Sequence, residues 1–374
     1  MRHNILARFI YLTMLCLSCA YVGLCAAAFY YGDLALRTSV VIVGTLIFFM
    51  MLANRGRRLG QPFVCTILVF LCIFGFSWLN SEETSFRSVF TVFILLGCFG
   101  VAWFTLDYEK TAVFFEYPFY LMLAFSLYLI VVEGYGPSQF NNLLEGSSRN
   151  VYSGALIALA SGYIYSRVLT GKVIALWPLF LVVVISIPLY SRNGLVISVL
   201  LFSFVLIKRS PIAAAVCAFL SMVAVALFWS QIMDAVMVDT NLGAGLTSDR
   251  FKIAGDFLAH LNFLNVLKGT DLSQVDAVVD FGGNPHNAYI RLQSFYGAAL
   301  LPFLVVVFVS LIQLLVDKKY LLAFVLFLYL FRAYFDIFYL FNLFDFLVFP
   351  LVFHWYFRRY LNQSRNSGDA LLRS

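Results

Sequence analysis

Apolar runs long enough to cross a lipid bilayer recur along the whole chain, and no other feature restricts its fold as tightly. They fall at 9–30, 38–53, 62–79, 88–105, 113–132, 151–168, 173–190, 195–207, 211–230, 294–316, 320–335 and 337–357. A straight span takes about 20 residues, so several of these are short. Only Ser191-Arg192-Asn193-Gly194 separates 173–190 from 195–207. Charged residues make up 12% of the chain, against roughly a quarter in an average soluble domain. That is too little charge to coat a water-facing surface of this size, so lipid must cover most of it. The 41 Phe and 21 Tyr suit a lipid-facing body with aromatic belts at both interfaces. The expectation is one all-α polytopic membrane domain over 1–374, with about 12 transmembrane helices.

The first run follows Arg2 and Arg8 and ends near Cys25-Ala26-Ala27-Ala28, which has the form of a signal peptide. A second apolar run follows at once, which favours an uncleaved first helix. The seven cysteines all fall inside apolar runs. No Cys pair lies with a His cluster, so neither a metal site nor a cofactor is expected.

Basic residues set the orientation. With a cytoplasmic N-terminus, Arg55, Arg57, Arg58, Lys110 and the pairs 208–209, 318–319 and 358–359 all fall inside. Arg365 and Arg373 join them. Arg37, Arg87, Arg149, Arg192, Arg250, Lys252, Lys268, Arg291 and Arg332 are left on the outer side or in spans. Both termini are then cytoplasmic, and the net charge of +6 reflects this sidedness, not a nucleic-acid partner.

One outer segment, 231–293, is far longer than the rest, the next being 133–150. Loops of that length usually carry function or structure of their own. Within it, Phe251, Ile253, Ala254, Phe257, Leu258, Leu261, Leu264 and Leu267 recur at helical spacing. This predicts an amphipathic helix over Arg250–Leu267, with N-cap candidates in Thr247-Ser248-Asp249. No internal repeat is present, which counts against an inverted-repeat transporter.

Four outer arginines carry the chemical interest, because charge in or beside a span is costly. Arg192 sits at a turn between spans, Arg250 opens the amphipathic helix, Arg291 lies where a span begins, and Arg332 is deep in an apolar run. Each has a plain reading too. Arg192 and Arg291 would snorkel to headgroups, Arg250 would be a solvated first-turn residue, and Arg332 would pair with Asp336 at i+4. The functional reading is a shared cavity for a phosphate-bearing ligand, whose oxygens match the guanidinium fork. His286 stands in an outer turn between Pro285 and Asn287, and histidine moves protons near neutral pH. Asp249, Asp271, Asp276 and Asp280 show no glycosidase-like pairing and read as solvated loop charges.

The order of these features is itself informative. Ser191-Arg192-Asn193-Gly194 is followed by Ser248-Asp249-Arg250, then Pro285-His286-Asn287-Ala288-Tyr289, with Gly297 eight residues further on. Over roughly 150–310 this resembles the bacterial O-antigen polymerase and O-antigen ligase superfamily, although Asn193 departs from the residue expected there. The resemblance implies a metal-independent, inverting glycosyltransferase of the inner membrane. Its donor would be an undecaprenyl-diphosphate-linked oligosaccharide on the periplasmic side. Arg192, Arg250 and Arg291 would bind the diphosphate, His286 would be the general base, and Asn287, Tyr289, Arg332 and Asp336 would support them. Membrane lipids, and a chain-length regulator protein, would be further partners. The tail Arg332-Ala333-Tyr334-Phe335-Asp336 and Phe344-Asp345-Phe346 resembles polymerase endings more than ligase endings, where the acceptor would be lipid A-core. The rival of another class is a lipid-linked oligosaccharide flippase, which predicts midplane charge in both halves and short loops throughout.

Overall fold

The computed structural model describes residues 2–55, 61–78, 82–107, 113–144, 148–230 and 249–358. Arg57, Arg58, Lys110, Arg359, Arg365 and Arg373, the cap candidates Thr247 and Ser248, and the first part of the long outer segment lie outside them. Among the described residues the fold is all-helical, with no strand. Among the described residues, five helices are long and apolar enough to cross a membrane: Arg8–Tyr31, Leu34–Asn54, Phe86–Leu106, Phe114–Val131 and Ala288–Val316. Shorter apolar helices accompany them at Phe63–Ser77, Leu176–Ser186, Pro211–Leu227 and Tyr320–Ala333.

α1 (Arg2–Tyr31) turns back into α2 (Leu34–Arg55) at Gly32. The Asp33 carboxylate accepts from the Ala35 amide at 2.6 Å and starts α2. α3 (Gln61–Ser77) and α4 (Glu82–Asp107) follow, and the Tyr21 hydroxyl of α1 meets Cys98 of α4 at 3.3 Å. α5 (Val113–Val131) leads through the short α6 (Pro137–Asn142) to α7 (Arg149–Leu169). Every residue of α7 from Tyr152 to Ser166 is buried. A helix apolar or small on all faces belongs in a core, and α7 is the axis of this one. Its inner ties are polar. Ser126 and Tyr152 hydroxyls meet at 2.8 Å, and Glu116 of α5 takes Ser166 at 2.9 Å and Arg167 at 3.4 Å.

The expected spans 173–190 and 195–207 form α8 (Leu176–Ser186) and α9 (Arg192–Arg209), split by a turn in which Tyr190 takes φ +46°. α10 (Pro211–Leu227) follows. The amphipathic segment is two helices rather than one. α11 (Asp249–Ala259) ends at His260, and Asn262 then caps the six-residue α12 (Phe263–Lys268) through the Asn265 amide at 2.9 Å. An Asx side chain in mid-stripe offered the backbone a cap, and the cap prevailed over the apolar period. α13 (Asp276–Asp280), α14 (Ala288–Tyr296), α15 (Leu300–Val316) and α16 (Tyr320–Ala333) complete the bundle. Beyond α15, Asp317 receives Arg358 at 2.9 Å and His354 at 3.3 Å, which fastens the C-terminal helical turn.

The expected span 337–357 is not a continuous helix. Residues 334–348 are turns and a 3-10 segment, followed by α17 (Phe349–Val352) and a turn of helix at 354–358. The irregular stretch is nonetheless enclosed: Tyr339, Leu340, Phe346, Leu347 and Val348 are fully buried. Three Asx side chains explain the break. Asp336 accepts from the Phe338 amide at 3.1 Å, Asp345 accepts from the Asn342 amide at 2.9 Å, and Asn342 donates to Ile337 O at 3.4 Å. Each competes with a helical ladder bond. Surrounding helices meet other backbone groups. Arg291 donates to Leu340 O at 2.6 Å, and Cys98 and Cys25 approach Asn342 O and Leu343 O at 3.4 Å. Tyr329 bonds both Asp345 and the Leu340 amide. Non-helical backbone survives among apolar surroundings only when its polar groups are met in this way.

Asp345→Ala removes the acceptor shared by Tyr329 and the Asn342 amide. It is expected to cost about 3 kcal/mol, because two buried donors lose their partner. Thermal denaturation in detergent measures this, and an unchanged melting temperature would contradict the account of the buried turn.

Candidate functional site

The start of α9 is set by close packing. A Cβ on Gly194 would lie 3.0 Å from Ser191 Oγ and 3.1 Å from Ser153 Cβ, and nearer still to Ser153 Oγ. Only glycine lets this end of α9 rest on α7. Arg192, two residues earlier, is thereby held at the helix tip, where it is exposed.

α11 docks its apolar face instead of lying loose. Ile253 and Phe257 are buried against Val275, Ala277, Val278 and Ile290, which joins α11 and α13 to α14. Asp256 accepts from the Ala277 amide at 2.8 Å. α12 is locked to the same wall, since Gln293 donates to Asn265 O at 2.8 Å. Gly297 has φ +50°, and a Cβ there would run into Leu267 O and come within 2.6 Å of Gly269 N. Thus the glycine that follows Tyr289 in the sequence pattern is the seat for the end of α12.

This docking brings Arg250, in the first turn of α11, over the Phe335 ring at 5.9 Å. Burial lowers its pKa from the ordinary guanidinium value, Asp336 pulls it back up, and Arg332 and Arg192 push it down again. It remains a cation at neutral pH. Those same influences identify its neighbours. Arg192 from α9 and Arg332 with Asp336 from the end of α16 are the charged groups that act on Arg250 of α11.

Arg332 is 1% exposed. Its Nη2 donates to Asn150 O at 2.9 Å and lies 3.6 Å from Asp336 Oδ2. The i+4 ion pair expected from the sequence is present. It does not exhaust the guanidinium, because Nε and Nη1 are buried without a hydrogen-bond partner among the described residues. Two of its buried donors are open beside a single carboxylate. Such an arrangement is suited to hold an anion with several oxygens.

Asn287 is the N-cap of α14, accepting from the amides of Tyr289 at 2.9 Å and Ile290 at 3.2 Å. The Tyr289 hydroxyl donates to Leu330 O at 2.9 Å, two residues before Arg332. Tyr289 therefore pins the start of α14 to the end of α16 that carries the cluster. His286 immediately precedes this cap, part-buried, with φ +49° and its amide held by Asn284 Oδ1 at 2.8 Å. A non-glycine residue in the left-handed region costs about 1 kcal/mol or more, and here an Asx turn and the following cap impose it.

Arg291 takes a different direction. Beside its bond to Leu340 O, it reaches Tyr339 O at 3.5 Å and lines a cavity with residues of α2 and α4. The sequence pattern gave no sign of Phe335 under Arg250, or of Tyr329 and Asp345 in the buried turn. The Asx spacing at 336, 342 and 345 was the available signal. No protein-family model matches the chain, and no curated protein or solved structure matches it either.

Asp336→Ala leaves the Arg332 guanidinium buried without its carboxylate, at an expected cost of about 3 kcal/mol. Arg192→Ala, at an exposed tip, should melt with the parent protein. Equal melting temperatures for the two variants would show that the ion pair does not hold the end of α16.

Proposed function

We propose that this chain is a membrane-embedded glycosyltransferase that joins lipid-linked repeat units of a bacterial surface polysaccharide, an O-antigen-type polymerase. The single observation that supports it best is the pair of open, buried donors of Arg332 beside Arg192 and Arg250. A diphosphate carried on a polyprenyl lipid has the charge, the oxygens and the membrane depth to fill that cluster. In this reading the chain crosses the inner membrane about twelve times, segment 231–293 is periplasmic and both termini are cytoplasmic.

The chemistry follows from the roles. A sugar hydroxyl of the acceptor attacks the anomeric carbon of the donor from the face opposite the diphosphate. The new C–O bond forms as the bond to the diphosphate oxygen breaks, so the anomeric centre inverts. His286 takes the hydroxyl proton. The electron pair leaves on the diphosphate, whose growing negative charge Arg192, Arg250 and Arg332 stabilise. Asn287 and Tyr289 fix the helix end on which His286 rides. Asp336 keeps Arg332 in place.

His286→Ala removes the proton acceptor, and positioned general bases contribute about 10²–10⁴ in rate. Both His286→Ala and Arg250→Ala are expected to leave protein levels normal and to reduce lipopolysaccharide to core plus a single repeat unit on a gel. Collapse to bare core would instead identify a ligase. A full ladder in His286→Ala would remove the catalytic assignment. Purified protein in liposomes provides the second check: lipid transfer across the bilayer with no change in glycan length would point to a flippase.

A further inference from the structure

A cavity of about 550 Å³ lies between the starts of α2 and α4, the near face of α14 and the buried turn. Three arginines line it, each from a different helix. Arg37 is in the first turns of α2, Arg87 in the first turns of α4, and Arg291 in α14. Among the described residues no carboxylate lines it. Arg37 and Arg87 are exposed, whereas the Nε of Arg291 is buried with no hydrogen-bond partner among the described residues. The remaining wall is largely apolar, with Phe86, Phe90, Phe295 and Phe341 among its residues, and Phe86 is 67% exposed. The Tyr296 hydroxyl donates to Ser88 O at 2.8 Å, which ties the start of α4 to α14 beside Arg87.

A cluster of cations with an open buried donor is matched to phosphate oxygens, and a largely apolar wall is matched to a lipid tail. We propose that this cavity binds the phosphate headgroup of a second amphiphile, distinct from the one held by Arg192, Arg250 and Arg332. This rests on the reading under Proposed function for its identity: a chain-joining reaction has two lipid-linked substrates, and the cavity is the acceptor's phosphate site. On α14, Tyr289 meets the end of α16 that carries Arg332 while Arg291 lines the cavity, with the His286 turn at the head of that helix.

Native mass spectrometry of the full-length protein in detergent, with undecaprenyl diphosphate as probe, counts the sites directly. The parent protein is expected to carry two lipids. R37Q/R87Q is expected to carry one at the same probe concentration, with about tenfold weaker binding of the second, as lost charge-assisted hydrogen bonds would give. R37K/R87K, which keeps the charge, should still bind two. R37Q/R87Q that retains two at parental strength overturns the proposal. If phosphatidylglycerol displaces the second equivalent as well as unlabelled probe does, the cavity is an ordinary headgroup site. If inorganic pyrophosphate does so, it is a free-anion site. Either result overturns the acceptor assignment. R192Q/R250Q separates this claim from the donor reading. If it keeps two lipids while R37Q/R87Q keeps one, the donor cluster fails and the second site stands.

Discussion

A stretch of non-helical backbone enclosed by helices must find a partner for its polar groups, and the architecture is organised around meeting that need at 334–348. Helix α1 contributes Cys25, α4 contributes Cys98, α14 contributes Arg291 and α16 contributes Tyr329. α7 accepts in the other direction, taking the Tyr339 hydroxyl on Gly154 O at 2.8 Å. Leu340 and Phe341 hold φ of +60° and +62°, values that non-glycine residues adopt only when the surroundings impose them. Five helices are therefore fixed relative to one another through a segment that has no regular structure of its own.

The arginine cluster inherits its geometry from this arrangement. Arg332 stands at the last turn of α16, next to the segment that the bundle grips, and α7 holds it through Asn150 O. Arg250 arrives from outside the bundle, yet α11 is packed onto α13 and α14 and cannot drift. Burial lowers the pKa of Arg250 most, and Arg332 and Arg192 add to that lowering, since cations at partial burial repel one another. The packing of α11 on α13 and α14 holds Arg250 in place, and an anion would relieve the repulsion.

Much of this was legible in the sequence, and the remainder was not for definable reasons. Apolar runs gave the helices because burial in lipid demands continuous hydrophobicity. Residues 337–357 satisfied that demand by composition, so hydropathy could not separate a helix from a buried turn. Asp336, Asn342 and Asp345 made the difference through side-chain bonds that no average registers. The members Arg192, Arg250, Arg332 and Asp336 could be singled out because charge is rare in such runs. Arg37 and Arg87 looked like ordinary outer charges. Their shared cavity with Arg291 depends on how α2 and α4 pack against α14, for which no local pattern exists.

Asp336 uses its two oxygens for two purposes. Oδ2 faces the Arg332 guanidinium, while Oδ1 receives the Phe338 amide that begins the buried turn. Any ligand that competes with this carboxylate for Arg332 must also act on the first bend of that turn. By thermodynamic reciprocity, whatever reshapes the bend alters the affinity of the cluster. A single side chain thus makes occupancy at the Arg332 guanidinium and the conformation of the buried turn two readings of one equilibrium.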